Sequence, residues 1–217
     1  IAYLPTMYGA FARRESAVSR LAVRANTPPS ALEFIHRAHR IGGLENLDDF
    51  WQEWEIWFAD IAESHTSLAA LVFFRSPHPH HSWVTASGAV LDTAALMLSV
   101  IDVPAQPQAA LCIRAGYLAL QNIADFFAIS YPAAPTFPAD PISITQAEFE
   151  ELCTTLAAAG IPLKDDLTQA WLDFGGWRVN YDSALLALCT LTMAPDAPWS
   201  TDRAPRYQPL PLWTSYK

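Results

Sequence analysis

The sequence predicts an all-α protein, a helical bundle of about seven helices with long central antiparallel helices and a Pro-rich C-terminal tail. Apolar and aromatic residues recur every three or four positions along the 217-residue chain, which is the spacing of a helix with one buried face. Signals for the start and the end of helices separate these stretches, and no convincing strand pattern is present. Because 52% of the residues are hydrophobic, the chain can bury a sizeable core.

Two short helices are predicted from their boundaries. Ser30-Ala-Leu-Glu33 is a capping box, in which the Ser and Glu side chains satisfy backbone N–H groups at the start of a helix. Gly42-Gly43 ends that helix. Thr145-Gln-Ala-Glu148 is a second capping box, and its helix ends at Gly160.

Three long segments, over about 46–75, 82–102 and 108–129, lie between these two helices. The second and third are almost uniformly apolar, which is typical of helices in a protein centre or an interface. Short Pro-containing connections over 76–81 and 103–107 predict antiparallel hairpins. The first segment carries an apolar stripe with the spacing of an amphipathic helix, and its tryptophans make it a candidate subunit interface: Leu47, Trp51, Trp54, Phe58, Ile61, His65, Leu68 and Val72.

Residues 131–141 contain four prolines and are predicted to be a stiff linker. Two further helices are expected over about 163–175 and 181–193, followed by a tail with five prolines and several aromatic residues, which we expect to lie on a surface. The predicted organisation is a membrane-proximal connecting helix over 1–24, a core helical bundle over 25–130, and the linker, C-terminal helices and tail over 131–217.

Hairpin geometry predicts one polar cluster among the central helices. His65 and Asp92 are equally far from the first turn, and Arg114 lies within about one helical turn of the level of Asp92 across the second. His65, Asp92 and Arg114 are therefore expected at one height. We interpret them first as a buried ion-paired network that sets helix register; the second interpretation is a ligand-binding or proton-sensing regulatory site.

The sequence offers little support for an enzyme, a cofactor or a metal. It contains no Gly-rich phosphate loop and no nucleophile signature. His78, His80 and His81 are weak metal candidates, because zinc sites need four ligands on ordered elements and this run supplies only imidazoles. We therefore expect no catalytic residues and no cofactor.

Charge is divided unevenly along the chain. The net charge is −9, yet residues 1–40 contain six arginines and only two glutamates. The acidic remainder argues against nucleic-acid binding. An apolar run leads directly into Arg13 and Arg14, and Arg20 and Arg24 follow. This order is typical of the cytoplasmic end of a transmembrane helix, with arginines facing anionic lipid headgroups; the alternative is a solvated helix face that pairs with the acidic body.

Several stretches carry a resemblance to a known family. They are residues 2–15 (AYLPTMYGAFARRE), 27–33 (TPPSALE), 57–65 (WFADIAESH), 74–83 (FRSPHPHHSW) and 91–96 (LDTAAL). Together they resemble the region after the second transmembrane helix in bacterial two-helix, potassium-channel-like proteins of the ion-channel pore family. The resemblance covers about residues 1–130 and implies a non-conducting cytoplasmic C-terminal domain that assembles or regulates a channel.

The expected function is therefore that of an assembly or regulatory domain at the cytoplasmic face of the inner membrane. Its expected partners are its own transmembrane pore domain, anionic lipid headgroups near the N-terminal arginines, and further copies of itself in a homo-oligomer. The alternative is a free-standing all-α ligand-binding or enzymatic protein with a site near His65, Asp92 and Arg114.

Overall fold

The computed structural model describes residues 3–205, and within that range the chain is all-helical, as predicted. It has eight α-helices where about seven were expected, and one 3₁₀ helix. Their bounds are α1 Tyr3–Ala25, α2 Ala31–Arg40, α3 Asp48–Ser67, the 3₁₀ helix Ala69–Phe73, α4 Trp83–Ser99, α5 Pro107–Phe126, α6 Gln146–Ala158, α7 Leu167–Arg178 and α8 Asp182–Thr192. In this part of the chain the only extended pairing is an isolated antiparallel bridge between Ile101 and Leu163. No helix among the described residues is long and apolar enough to cross a membrane.

The two short helices predicted from their boundaries, α2 and α6, are observed, with one difference in capping chemistry. The capping box of α6 is complete, because Thr145 Oγ1 accepts a hydrogen bond from the Glu148 N–H and the Glu148 carboxylate accepts one from the Thr145 N–H. Ser30 is also the N-cap of α2, but its side chain makes no capping hydrogen bond. Gly42 and Gly160 have φ values of +68° and +76°, the left-handed conformation that favours glycine after a helix.

The first long segment does not form one helix to residue 75. Helix α3 ends at Ser67, because Leu68 leaves the helical region with φ −124° and ψ 59°, and the chain continues as the 3₁₀ helix. The carbonyls of Leu71 and Phe74 then accept hydrogen bonds from the buried Arg14. The break in the helix therefore frees acceptors that a long-range contact uses.

Helix α4 is the centre of the molecule. Every residue of α4 except Leu98 is buried, and the helix contacts α1, α2, α5, α7 and α8. Helix α5 packs mainly on α3, and Gly116 makes this close approach possible, since a Cβ there would meet Phe58 at 3.0 Å and collide with Leu91. Contrary to expectation, α5 is not buried all round, because Leu111 and Leu118 are exposed.

One hydrophobic core includes residues on both sides of the Pro-rich segment 131–141, from Ala17 to Cys189. Phe137 of that segment packs edge-to-face on Trp171 at 5.3 Å and lies against Gly175 of α7. The segment therefore docks on the bundle. Of the C-terminal tail, residues 195–205 are described and residues 206–217 lie outside the described range, so the predicted surface packing of the tail is described only in part.

The tryptophans of α3 belong to this core. Trp51, Trp54 and Trp57 are all buried, and neighbouring aromatic rings contact one another along the helix. The idea that this helix presents its tryptophans to another subunit is therefore wrong: the chain's own core uses them.

Candidate functional site

Two separate buried polar networks occupy the region where the sequence predicted one cluster. Asp92 and His65 are both buried, but each hydrogen-bonds to a partner that hairpin geometry did not suggest. Arg114 is exposed and donates to the Tyr117 hydroxyl at 3.0 Å. Helix α5 turns this residue to solvent, so Arg114 does not join either network.

The first network is built around Asp92, in the middle of α4. Asp92 Oδ1 accepts hydrogen bonds from the guanidinium of Arg178, at the end of α7, and from the Tyr181 hydroxyl at 2.8 Å. Arg178 Nε donates to Asp182 Oδ1 at 2.8 Å. Arg178 and Tyr181 are completely buried, and Asp92 is 2% exposed.

The same arginine joins the C-terminal segments to the bundle. Arg178 Nη2 donates to the Trp199 carbonyl at 2.6 Å and to Ser143 Oγ at 3.2 Å. Ser143 in turn donates to the Asp182 carboxylate through its N–H and its hydroxyl, at 2.9 and 2.7 Å. Buried charges need this degree of hydrogen bonding to be tolerated.

The first network contains two carboxylates and one guanidinium, so its charges do not balance. Burial raises the pKa of Asp92, and the positive charge of Arg178 opposes that shift. Burial alone would lower the pKa of Arg178, but Asp92 and Asp182 raise it above its ordinary value. The guanidinium therefore stays charged, and Asp92 is the group on which the excess negative charge is costly.

A cavity of about 360 Å³ lies against this network. Asp92 and Ala89 of α4 line its wall, and the remaining walls come from the start of α2, from α6 and from residues 198–203. Glu148, Glu151 and Asp202 add carboxylates to the lining, and within residues 3–205 Arg203 is the only arginine or lysine that lines it. A concave site of this volume with one deeply buried charged group has the general form of a small-molecule site.

The second network joins α1 to the end of α3. Arg14 is 1% exposed, and its guanidinium donates to the carbonyls of Leu71 and Phe74 at 2.7 and 2.6 Å. It also lies 3.2 Å from His65 Nε2 and donates to Glu15 Oε1 at 2.9 Å. The backbone of the 3₁₀ helix is thereby tied to the middle of α1.

The protonation state of His65 follows from this contact. Because arginine can only donate, His65 Nε2 accepts, and Nδ1 carries the proton that is donated to Ser64 Oγ at 3.1 Å. Burial, and after it the charge of Arg14, lowers the pKa of His65 to about 3. His65 is therefore neutral at physiological pH.

The four N-terminal arginines have different surroundings. Burial excludes Arg14 from contact with lipid headgroups, which corrects that expectation for this residue. Arg13 pairs with Asp60 at 3.1 Å and Arg20 pairs with Glu53, both on α3. Arg24 lies over the Phe50 ring, 5.4 Å from its centroid.

The histidine-rich loop forms part of a smaller cavity of about 180 Å³ beside Arg14 and Arg75. The rings of His78 and His81 lie 5.2 Å apart, and burial followed by the charge of His78 lowers the pKa of His81. His80 also lines this cavity. Among residues 3–205, no three His, Cys, Asp or Glu side chains are grouped so that they could hold a metal ion.

Sequence reasoning missed Arg178, Tyr181 and Asp182. One signal was available: Arg178 and Asp182 are four residues apart, which is the spacing of an ion pair on one helical face. Nothing in the local sequence indicates that Arg178 reaches Asp92, which is 86 positions away.

Comparisons with known proteins add no relative. No family model matches this chain, and neither a curated protein nor a solved structure has significant similarity to it.

Proposed function

We propose that this chain is the cytoplasmic assembly and regulatory domain of a bacterial potassium-channel-like protein, with α1 continuing from a pore-lining helix. In this proposal the chain does not conduct ions and is not an enzyme. It lies at the inner face of the membrane and assembles with further copies of itself around its own pore domain.

The observation that supports this proposal is the way α1 is held. Helix α1 has 23 residues, which gives a rod of about 34 Å. Its middle is fixed by the buried Arg14, and Met7 and Ala10 pack on Leu71, whereas Leu4 and Tyr8 near its start are 71% and 72% exposed. A displacement at the start of such a rod is carried to the 3₁₀ helix through the hydrogen bonds of Arg14, because buried packed elements move as units.

The resemblance in the sequence is the reason for proposing that the upstream segment is a pore domain. The parent reading frame is the first test, and we expect two apolar spans with a filter loop before residue 1. A start codon near residue 1 would contradict the proposal.

The functional test compares two neighbouring arginines in the full-length protein reconstituted in potassium-loaded liposomes. Arg14→Gln removes the buried contacts to the 3₁₀ helix, and we expect a changed potassium efflux. Arg13→Gln removes only the exposed pair with Asp60, so its efflux should match that of the wild type. Circular dichroism of each variant establishes that it is folded. Equal efflux for both folded variants would show that Arg14 does not transmit a displacement of α1 to the 3₁₀ helix.

The proposed homo-oligomer needs an interface other than the tryptophans of α3. We propose the exposed side of α5, where Leu111, Leu118 and Phe126 lie among the polar residues Arg114, Asn122 and Asp125. Exposed large apolar residues that share one side of a helix are a feature of interaction surfaces. Leu118→Glu should lower the mass measured by light scattering to that of the monomer, and an unchanged oligomer would exclude this face.

The cavity beside Asp92 favours a second candidate function, that of a free-standing ligand-binding protein. Four carboxylates line this cavity, those of Asp92, Glu148, Glu151 and Asp202. Among the described residues, Glu148 and Asp202 pair with Arg203 and Asp92 pairs with Arg178, so Glu151 has no arginine partner. Binding of a ligand by the isolated chain, together with a start codon near residue 1, would favour this second function over the first.

A further inference from the structure

The cavity beside α4 has chemistry that selects one class of ligand. Both hydrogen bonds to the Asp92 carboxylate go to Oδ1, and Asp92 lines the cavity. This leaves Oδ2 as the oxygen that can accept a hydrogen bond from a ligand. A carboxylate oxygen at this depth is a strong acceptor, because water competes little for it.

The charges around the cavity favour a cation. The cavity lining and the buried network together hold five carboxylates, of Asp92, Glu148, Glu151, Asp182 and Asp202. Two guanidinium groups, of Arg178 and Arg203, oppose them. The start of α2 also lines the cavity, but a helix N-terminus contributes only about half a unit of positive charge. The carboxylates therefore dominate, and a bound cation would offset the buried excess.

An apolar wall completes the site. Ala89, Leu152 and Pro198 line the cavity together with Trp199. Trp199 has a φ of 56°, unusual for a bulky residue, and its carbonyl is held by Arg178. The indole packs on the Phe174 ring at 5.7 Å, and its remaining surface can contact the methylene groups of a ligand or an ammonium ion.

We propose that this cavity binds a small organic cation with a primary ammonium group, which donates to Asp92 and Glu151 while its alkyl chain contacts Trp199. The proposal gives the ligand class for the ligand-binding part of the second candidate function and rests on that part alone. It does not depend on whether the chain continues from a pore.

Butylamine and butanol are suitable probes, because they have similar shape and differ in charge and in ammonium donors. Each is titrated into the complete 217-residue chain at constant ionic strength and pH 7, with amide chemical shifts followed by NMR. We expect butylamine to shift resonances of residues that line the cavity, Ala89 and Leu152 among them, and butanol to leave them unchanged. Equal shifts with both probes, or no saturable shift with butylamine, would overturn the proposal.

Two neighbouring glutamates of α6 give a matched pair of variants. Both are exposed, but only Glu151 lines the cavity, and Glu150 accepts a hydrogen bond from Gln146. Glu151→Gln should weaken butylamine binding about two- to five-fold, the effect of one partly exposed ion pair. Glu150→Gln should leave the dissociation constant unchanged, so equal constants for the two variants would show that the protein's overall negative charge alone attracts the probe.

Asp92→Asn is the stronger test of the deepest contact. We expect at least about ten-fold weaker binding, because a buried charged partner is lost. If this variant does not fold, the Glu151 and Glu150 pair still decides the proposal. Potassium efflux from the full-length protein tests the channel proposal separately, so failure of one experiment leaves the other result intact.

Discussion

The buried histidine of α3 makes a quantitative prediction about acid stability. His65 has a pKa of about 3 in the folded protein, mainly because of burial and then because of the charge of Arg14. In the unfolded chain its pKa is about 6.5. Between these two values the unfolded chain binds a proton that the folded protein does not bind, so the free energy of unfolding falls as the pH falls.

The magnitude follows from the two pKa values. Between pH 7 and pH 5, protonation of His65 in the unfolded chain lowers the free energy of unfolding by about 2 kcal/mol. Arg14 from α1 and Trp83 from α4 face the imidazole, and the Glu15 carboxylate accepts a hydrogen bond from Arg14. Among the described residues no carboxylate hydrogen-bonds to the His65 ring, so no such bond stabilises the imidazolium in the folded protein.

The assay is urea denaturation at pH 7 and pH 5. His65→Gln keeps an acceptor for Arg14 but cannot titrate, so its loss of stability over this interval should be about 2 kcal/mol smaller than that of the wild type. His80→Gln, at an exposed histidine, should lose as much stability as the wild type. Equal losses for His65→Gln and the wild type would refute the argument that His65 stays neutral in the fold.

Three further predictions concern packing, capping and the buried ion pairs. Gly116→Ala should lower the free energy of unfolding in urea by about 1–3 kcal/mol through overpacking. Gly176→Ala is the control and should not destabilise the protein, because no atom lies within 4 Å of the new Cβ. A similar loss for both variants would contradict the close approach of α5 to Phe58 and Leu91 at Gly116. Thr145→Ala should cost about 0.5–2 kcal/mol and Ser30→Ala less, since only Thr145 makes the capping bond, which thermal melts can compare. Arg178→Met should cost about 3–5 kcal/mol, because it leaves buried carboxylates uncompensated; a melting temperature equal to that of the wild type would exclude this role.

Helix positions were accessible from the sequence because their determinants are local. The capping box at Thr145 and the glycines at 42 and 160 act within a few residues of each boundary. The uniform apolarity of residues 82–102 correctly predicted a buried helix. The same reasoning failed for α5, since an apolar composition does not reveal that Leu111 and Leu118 face outward.

The polar partners were not accessible in the same way. Hairpin geometry relates only neighbouring helices, and it therefore paired Asp92 with Arg114 rather than with Arg178 of α7. Likewise, arginines that follow an apolar run are expected to face lipid headgroups, and Arg14 was grouped with the other arginines on this basis. Its guanidinium is instead buried against the 3₁₀ helix. Tertiary packing determines which residue pairs with Asp92 and whether Arg14 is buried, and patterns in a single sequence do not reveal this packing.

The central position of α4 has a consequence for biosynthesis. The nascent chain completes α4 at Ser99, but α7 and α8, which cover part of it, lie C-terminal to the Pro-rich segment. Asp92 therefore has no salt-bridge partner until Arg178 has emerged from the ribosome. During this interval the N-terminal half exposes apolar surface and an unpaired carboxylate, which are features of aggregation-prone folding intermediates. We expect truncation near residue 130 to make that state permanent.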